Sequence, residues 1–182
     1  MLGERGMTGH SNYLYEELLR IPMLVKHPLG EVGPRRDGLP LQLHDVFAMI
    51  LDRVGIPLPE NVQGEPPPRL SQPRFAQVKP EFDKLSLGSR RAFYDGDLKF
   101  IWNSAGSHEL FDLAADPEEL RNLVRSEPAH AERLGRELER FVAALPEPAD
   151  ATPGPIDAET ADALRGLGYL GEEPDDAVPA GR

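Results

Sequence analysis

The stretch "RAFYDGDLKFIW" limits this chain more than any other. Asp95-Gly96 lies between two apolar, aromatic-rich segments, the strongest short hairpin signal in the sequence. A hairpin here dictates antiparallel pairing and places alternate residues on opposite faces of a sheet. The flanking segments "RFAQVK" and "SHELFDL" are extended by composition. Together they predict an antiparallel meander of three or four strands, with Phe100, Trp102 and Phe111 in its core. Asp116-Pro117-Glu118-Glu119 reads as the start of a helical turn. Ser126 is placed to cap a longer helix, in which Ala131, Leu134, Leu138, Phe141 and Leu145 form one stripe. Glu132 with Arg136, and Arg133 with Glu137, supply i,i+4 pairs on its wet side. Asp157 opens a last short helix through Leu164, ended by the glycines of "GLGYLG". The tail "EEPDDAVPAGR" reads as disordered.

The first third has another texture. Ser11 or Asn12 is placed to cap a helix through Leu19, with Glu16 and Glu17 near its positive end. Leu14 and Leu18 share a face. Pro22 biases Ile21 toward extended backbone, and Met23-Leu24-Val25 reads as a short strand buried on both faces, as in a parallel sheet. After the loop "LGEVGPRRDGLP", a helix begins at Asp45 with a stripe of Val46, Phe47, Ile50, Leu51 and Val54. Gly55 is its C-terminal stop and Pro57 lies beyond. The segment from 56 to 73 is rich in turn residues. The expected division is therefore 1–60, an α/β piece; 61–73, a Pro-rich connection; 74–146, an antiparallel sheet with a helix; and 147–182, a short helix and tail. A lone buried strand cannot complete a parallel sheet, so the first piece is expected to need neighbours preceding Met1.

Composition narrows the function classes. A formal net charge of −11 argues against non-specific nucleic-acid binding. The chain contains no cysteine, which removes disulfides, thiolate metal sites and a cysteine nucleophile. No window approaches the roughly 20 apolar residues of a membrane span. The first ten residues lack the basic and apolar regions of a signal peptide.

Four segments, in order, resemble one family. "GERGMTGHSNYLYEELLRIPMLVKHP" is similar to the sulfatase segment that follows a metal-binding Asp-His-Gly-Glu stretch. "HDVFAMILDRVGIPLPENVQG" is similar to the family's next helix, its Gly-Ile-Pro stop and a later glycine. "YDGDLKFIWNSAGSHELFDLAADPEELRNLV" resembles the C-terminal subdomain, where a "YKLI…ELYDLxxDPxExxNL" pattern recurs. "ALRGLGYLG" is similar to an ending seen in many bacterial members. The resemblance implies the C-terminal part of a formylglycine-dependent sulfatase of the alkaline phosphatase superfamily. The implied fold is an α/β fragment, the edge of an alkaline-phosphatase-like sheet with covering helices, followed by a small α+β subdomain with an antiparallel sheet and a C-terminal helix.

The same resemblance implies sulfate-ester hydrolysis of a small molecule or glycan, with calcium and a formylglycine nucleophile in the intact enzyme. The Cys/Ser-x-Pro/Ala-x-Arg signature of that nucleophile does not occur here; Ser71 in "SQPR" has its arginine at the wrong spacing. The chain alone is therefore expected to be inactive, with a missing N-terminal portion as its partner. His10 matches a family position that carries Lys or His against the substrate's sulfate, which makes it the substrate-binding residue implied by the resemblance. Glu16, Glu17 and Arg20 read as helix-end electrostatics. His27, His44 and His108 read as structural or surface residues, and Asp95 and Asp97 as turn residues. Two other readings stay open: a phosphodiesterase or phosphonate hydrolase of the same superfamily, and a stand-alone, non-catalytic interaction module built on the small sheet.

Overall fold

A computed structural model describes residues 3–6, 12–28, 32–71, 73–79, 87–146 and 157–166. Its centre is a four-stranded antiparallel meander in the order β1-β2-β3-β4: β1 Phe75–Val78, β2 Arg90–Asp95, β3 Leu98–Asn103 and β4 Glu109–Asp112. Asp95 pairs with Leu98, so the two-residue turn is Gly96-Asp97, with Gly96 at φ 58°. Gly96 supplies the positive φ that tight hairpins require at this position.

The period-2 pattern gives the sheet two different faces. Phe93, Phe100 and Leu110 point to one face and pack with Ala131, Leu134 and Leu138 of α3, Pro128–Ala144. Phe75 and Phe141 meet there with ring centres 5.2 Å apart. α3 starts at Pro128, a residue suited to the first helical position because it lacks an N–H. Ser126 does not cap it; its hydroxyl donates to the Leu123 carbonyl instead. The predicted pairs on the wet side form, with Arg133–Glu137 at 3.1 Å and Arg136–Glu132 at 3.8 Å.

Ala92, Tyr94, Ile101 and Phe111 form the opposite face, covered by Leu14, Tyr15 and Leu19 from the start of the chain. Met1–Ala144 accordingly forms one compact unit and Leu145–Arg182 another. In the second unit, α4 spans Ala158–Gly166, and Asp157 caps it by accepting the Thr160 N–H at 2.8 Å. The expected disordered tail lies outside the described residues.

Three expectations for the first third need correction. The N-terminal helix is a single turn, α1, Glu16–Leu19, and its N-cap is Tyr15 rather than Ser11 or Asn12. Asn12 adopts φ 69° and is buried, and Ser11 lies outside the described residues. A segment this short is held by tertiary contacts, not by its own helicity. The second correction concerns Met23-Leu24-Val25, which is neither a strand nor buried: all three are exposed, Leu24 at 99%. An isolated three-residue segment has no ladder partner for its backbone, so nothing holds it extended against a sheet. The third is Asp116–Glu119, which forms turns rather than a helix, with Glu119 at φ 52°.

The predicted middle helix is present as α2, Asp45–Arg53. Its end is a Schellman motif: Ile56 N–H donates to the Leu51 carbonyl at 2.9 Å and Gly55 N–H to Asp52 at 3.2 Å, with Gly55 at φ 71°. Its beginning is clasped by the buried Asp45 carboxylate, which accepts the N–H groups of Gln42 (2.8 Å) and Glu65 (2.9 Å). Reaching back to Gln42 is the role of the acid in a capping box. Gln42 ties this region to the sheet edge by accepting the Phe75 N–H at 2.8 Å and donating to the Pro73 carbonyl at 3.2 Å.

Candidate functional site

Lys99 occupies the centre of β3, on the face opposite Phe100. Its side chain has no exposure to solvent. A buried ammonium requires ionic and hydrogen-bonding partners. Glu16 Oε1 lies 2.9 Å from Lys99 Nζ and Glu119 Oε1 2.7 Å. Both contacts are ion pairs. Tyr94 donates its hydroxyl to Glu16 Oε1 at 2.7 Å. The backbone N–H of Glu16 donates to Glu119 Oε2 at 2.6 Å. The two acids lie on either side of the lysine in the sequence, Glu16 near the start of the chain and Glu119 in the turn before α3, and the lysine lies between them on the sheet.

A second layer surrounds this triad. Arg5 donates to the Glu119 carbonyl at 2.9 Å and to Glu17 at 3.2 Å, and stacks 3.9 Å from the centre of the Tyr15 ring. Tyr15 donates to Glu109 at 2.9 Å. Arg90 donates to the Asn12 carbonyl, and Arg74 lies over the Tyr94 ring at 4.2 Å. The expectation that Glu16 and Glu17 act through the helix end is thus corrected. Glu16 is spent on Lys99 and Tyr94, far along the chain, and Glu17 on Arg5, because a one-turn helix has too small a dipole to hold them.

The environment splits the two carboxyls. For Glu16, burial pushes the pKa up, but the Lys99 charge and the hydrogen bonds from Tyr94 and Lys99 outweigh it, leaving the group below its ordinary value of 4.5. For Glu119, burial is the largest influence and the nearby Glu16 charge adds to it, so its pKa stays above 4.5 despite Lys99. The Tyr15 phenol is raised by burial and by Glu109, and that of Tyr94 by burial and by Glu16. Two acids sharing one base divide in this way because both cannot be fully compensated.

The C-terminal motif acquires a physical reading from this geometry. In "DPEELRNL", Asp116 accepts the Arg121 N–H at 2.7 Å and shapes the turn that delivers Glu119. Asn122 accepts the Leu110 N–H at 3.0 Å and donates to the His108 carbonyl at 3.2 Å, pinning the turn to β4. Leu123 packs on the α3 side of the sheet. Sequence reasoning missed Lys99 and Glu119. The available signal was a lysine at a strand position whose same-face neighbour, Ile101, is apolar.

The residues singled out from sequence do not converge. His10 lies outside the described residues. His44 Nε2 lies 3.4 Å from Asp45 Oδ1. His108 accepts the Asn103 N–H at 3.1 Å and lies against Phe100 and Trp102. His27 is half-buried beyond the exposed apolar run. Ser71 donates its hydroxyl to Glu65 at 2.8 Å. Asp95 pairs with Arg133 at 2.8 Å. A shallow recess between Ala48, Ile56, Leu58 and Pro66 has only the Asp52–Arg69 pair, at 3.0 Å, as its polar contribution. Among the described residues, no group of three or more His, Asp or Glu side chains could hold a metal ion. The calcium and formylglycine implied by the resemblance therefore do not fit the residues described, and no chemical step runs through them here. What the Lys99 cluster can do is mechanical: Lys99 and Glu119 are closed to solvent, and with Glu16 they join the start of the chain to the sheet.

No protein-family model matches the chain. It is 28% identical to an uncharacterised sulfatase of Escherichia coli, YidJ, over 68% of its length and 26% of that protein's. It is 31% identical to an arylsulfatase of Clostridium perfringens over 66% of its length and 28% of that protein's. With human arylsulfatase K the identity is 27%, over 77% of this chain and 29% of the relative. Among solved structures, a phosphonate monoester hydrolase from Silicibacter pomeroyi overlaps 64% of this chain and 27% of its own, with a TM-score of 0.45 and 21% identity. The class the three sequence relatives define is the sulfatase-like hydrolase superfamily. Within it, the chain is a homologue of the sulfatases, and it spans between 26% and 29% of the length of the three sulfatase relatives it matches here. No helix among the described residues is long and apolar enough to cross a membrane.

Proposed function

We propose that the chain is the C-terminal part of a sulfatase-like hydrolase that cleaves sulfate esters of a small molecule or glycan. In this reading the nucleophile and calcium belong to a preceding N-terminal portion, His10 contacts the transferring sulfate, and the chain alone is inactive. In the intact enzyme, formylglycine would supply the attacking hydroxyl and calcium would screen the ester's charge. The chain contributes α2, whose apolar face the preceding portion would cover, and the subdomain built on β1–β4.

One observation carries this reading. All but one of the large exposed apolar side chains among the described residues fall between Ile21 and Leu58; the exception is Leu120. On α2 and its flanks, Leu43, Phe47, Ile50 and Val54 recur at helical spacing on one uncovered face. Apolar patches of this kind mark surfaces that are covered in the working protein. A match spanning 77% of the chain runs across α2, so this face lies within the part compared with a much longer relative.

The test is a chimera in which this chain replaces the matching portion of the Clostridium perfringens arylsulfatase. With calcium present, the chimera is expected to release sulfate from an aryl sulfate, and His10→Ala to lower that release about 100-fold, the scale on which a transition-state contact acts. The chain alone is expected to release none. A folded chimera without activity, or turnover by the isolated chain above its His10→Ala control, would overturn the proposal.

A further inference from the structure

We infer that Lys99 and Glu119 are positioning residues, a buried polar joint that fixes segment 12–19 on the sheet without being needed to form the sheet itself. The inference concerns this chain alone and does not depend on the sulfate-ester reading.

Four observations carry it. Lys99 is fully buried, and its two ion-pair partners come from α1 and from the turn before α3, not from neighbouring strands. Glu119 touches segment 12–19 twice over: through Lys99, and directly through the Glu16 N–H at 2.6 Å. Glu119 holds φ 52°, a conformation costly for a residue with a Cβ. Such backbone persists where surrounding contacts impose it. Finally, the α3-side core of Phe93, Phe100, Leu110, Leu134 and Leu138 contains none of these groups. The sheet thus has one core that needs no ions and one face that is closed by them.

The charged and titratable groups around Lys99 are Glu16 from α1, Tyr94 from β2 and Glu119 from the turn. Arg5 stands behind Glu119, and Arg74 is near Glu16. Removing the ammonium while keeping its volume leaves two carboxylates facing each other, that of Glu119 fully buried. Their repulsion and desolvation expel the segment that carries one of them. A pH signature follows. At neutral pH Lys99→Met releases the segment, whereas acid neutralises both carboxyls and lets it return. Plain loss of packing would not reverse on acidification.

Amide exchange of the full 182-residue chain, with Trp102 fluorescence for the sheet, reads both parts. At pH 7, Lys99→Met is expected to speed exchange at residues 12–19 at least tenfold while β2, β3 and α3 keep their protection. Near pH 4, after correction for intrinsic exchange, most of that protection should return. Glu119→Ala, which removes both the ion pair and the acceptor of the Glu16 N–H, should also speed exchange at residues 12–19 at pH 7, and serves where Lys99→Met alone does not fold. Unchanged protection of residues 12–19 in both variants would overturn the inference, showing that Leu14 and Tyr15 suffice. Simultaneous loss of β2, β3 and α3 in both variants would overturn it too, making Lys99 an ordinary core residue. Absence of recovery near pH 4 would contradict the ionic basis of the joint.

Discussion

Their surroundings shift the pKa values of Glu119 and Glu16 in opposite directions, up for Glu119 and down for Glu16. The folded-state pKa of Glu16 is depressed, so its contribution to stability is complete above 4.5 and is lost as pH falls through the lower folded value. That of Glu119 is raised, so its contribution is present below 4.5 and is lost as pH rises through the higher folded value. Glu119→Gln should therefore flatten the stability profile between 4.5 and neutrality while preserving the fall on the acid side. Denaturant melts across a pH series would show this, and an unaltered slope above 4.5 would refute it. A second residue prediction concerns Gly64, where a Cβ would stand 2.1 Å from the His44 carbonyl oxygen. Gly64→Ala should cost about 1–3 kcal/mol locally and open the Asp45 clasp, seen as faster proteolysis between 44 and 65 with the melting of the sheet unmoved. These roles were hardly legible beforehand. Lys99, Glu16 and Glu119 are joined across 83 and 20 residues of chain, and spacing along a sequence carries no trace of such a contact. Gly64 matches a later glycine of the family motif, but the motif gives no reason for it.

At the scale of elements, the sequence is informative where one local signal decides the outcome. The Asp95-Gly96 hairpin, the α2 stop at Gly55 and the stripe of α3 all form, because turn chemistry, left-handed glycine and helical period act over a few residues. The segment Met23–Val25 shows the limit of that reasoning. Its apolarity suits a buried strand, but burial needs a neighbour, and none of the described elements pairs with it. Two experiments separate the covered helix from the uncovered one. Leu134→Ala, at a fully buried α3 position, should destabilise the sheet by about 2–5 kcal/mol, measured by Trp102 fluorescence in denaturant. Phe47→Ser with Ile50→Ser, on the exposed face of α2, should shift the same melt by no more than about 0.5 kcal/mol and reduce self-association in light scattering. A large loss of stability from the α2 pair would mean that this face is already covered.

At the scale of the whole molecule, the chain joins a finished half to an unfinished one. The sheet has both faces covered, by α3 on one side and by residues 14–19 on the other. The stretch from Ile21 to Leu58 presents oily side chains to water. Relationship to the sulfatases could be read from ordered motifs, since those motifs encode local structure such as the Asn122 pin and the Asp116 turn. The docking of the first residues onto the distal sheet could not, and it makes Met1–Ala144 one unit where two textures suggest two pieces. Hydrogen exchange on the isolated chain reads the uncovered stretch itself. Slow exchange is expected in β2, β3 and α3 and near-intrinsic exchange from Ile21 to Lys26. Strong protection at Leu24 and Val25 in the isolated, monomeric chain would contradict it.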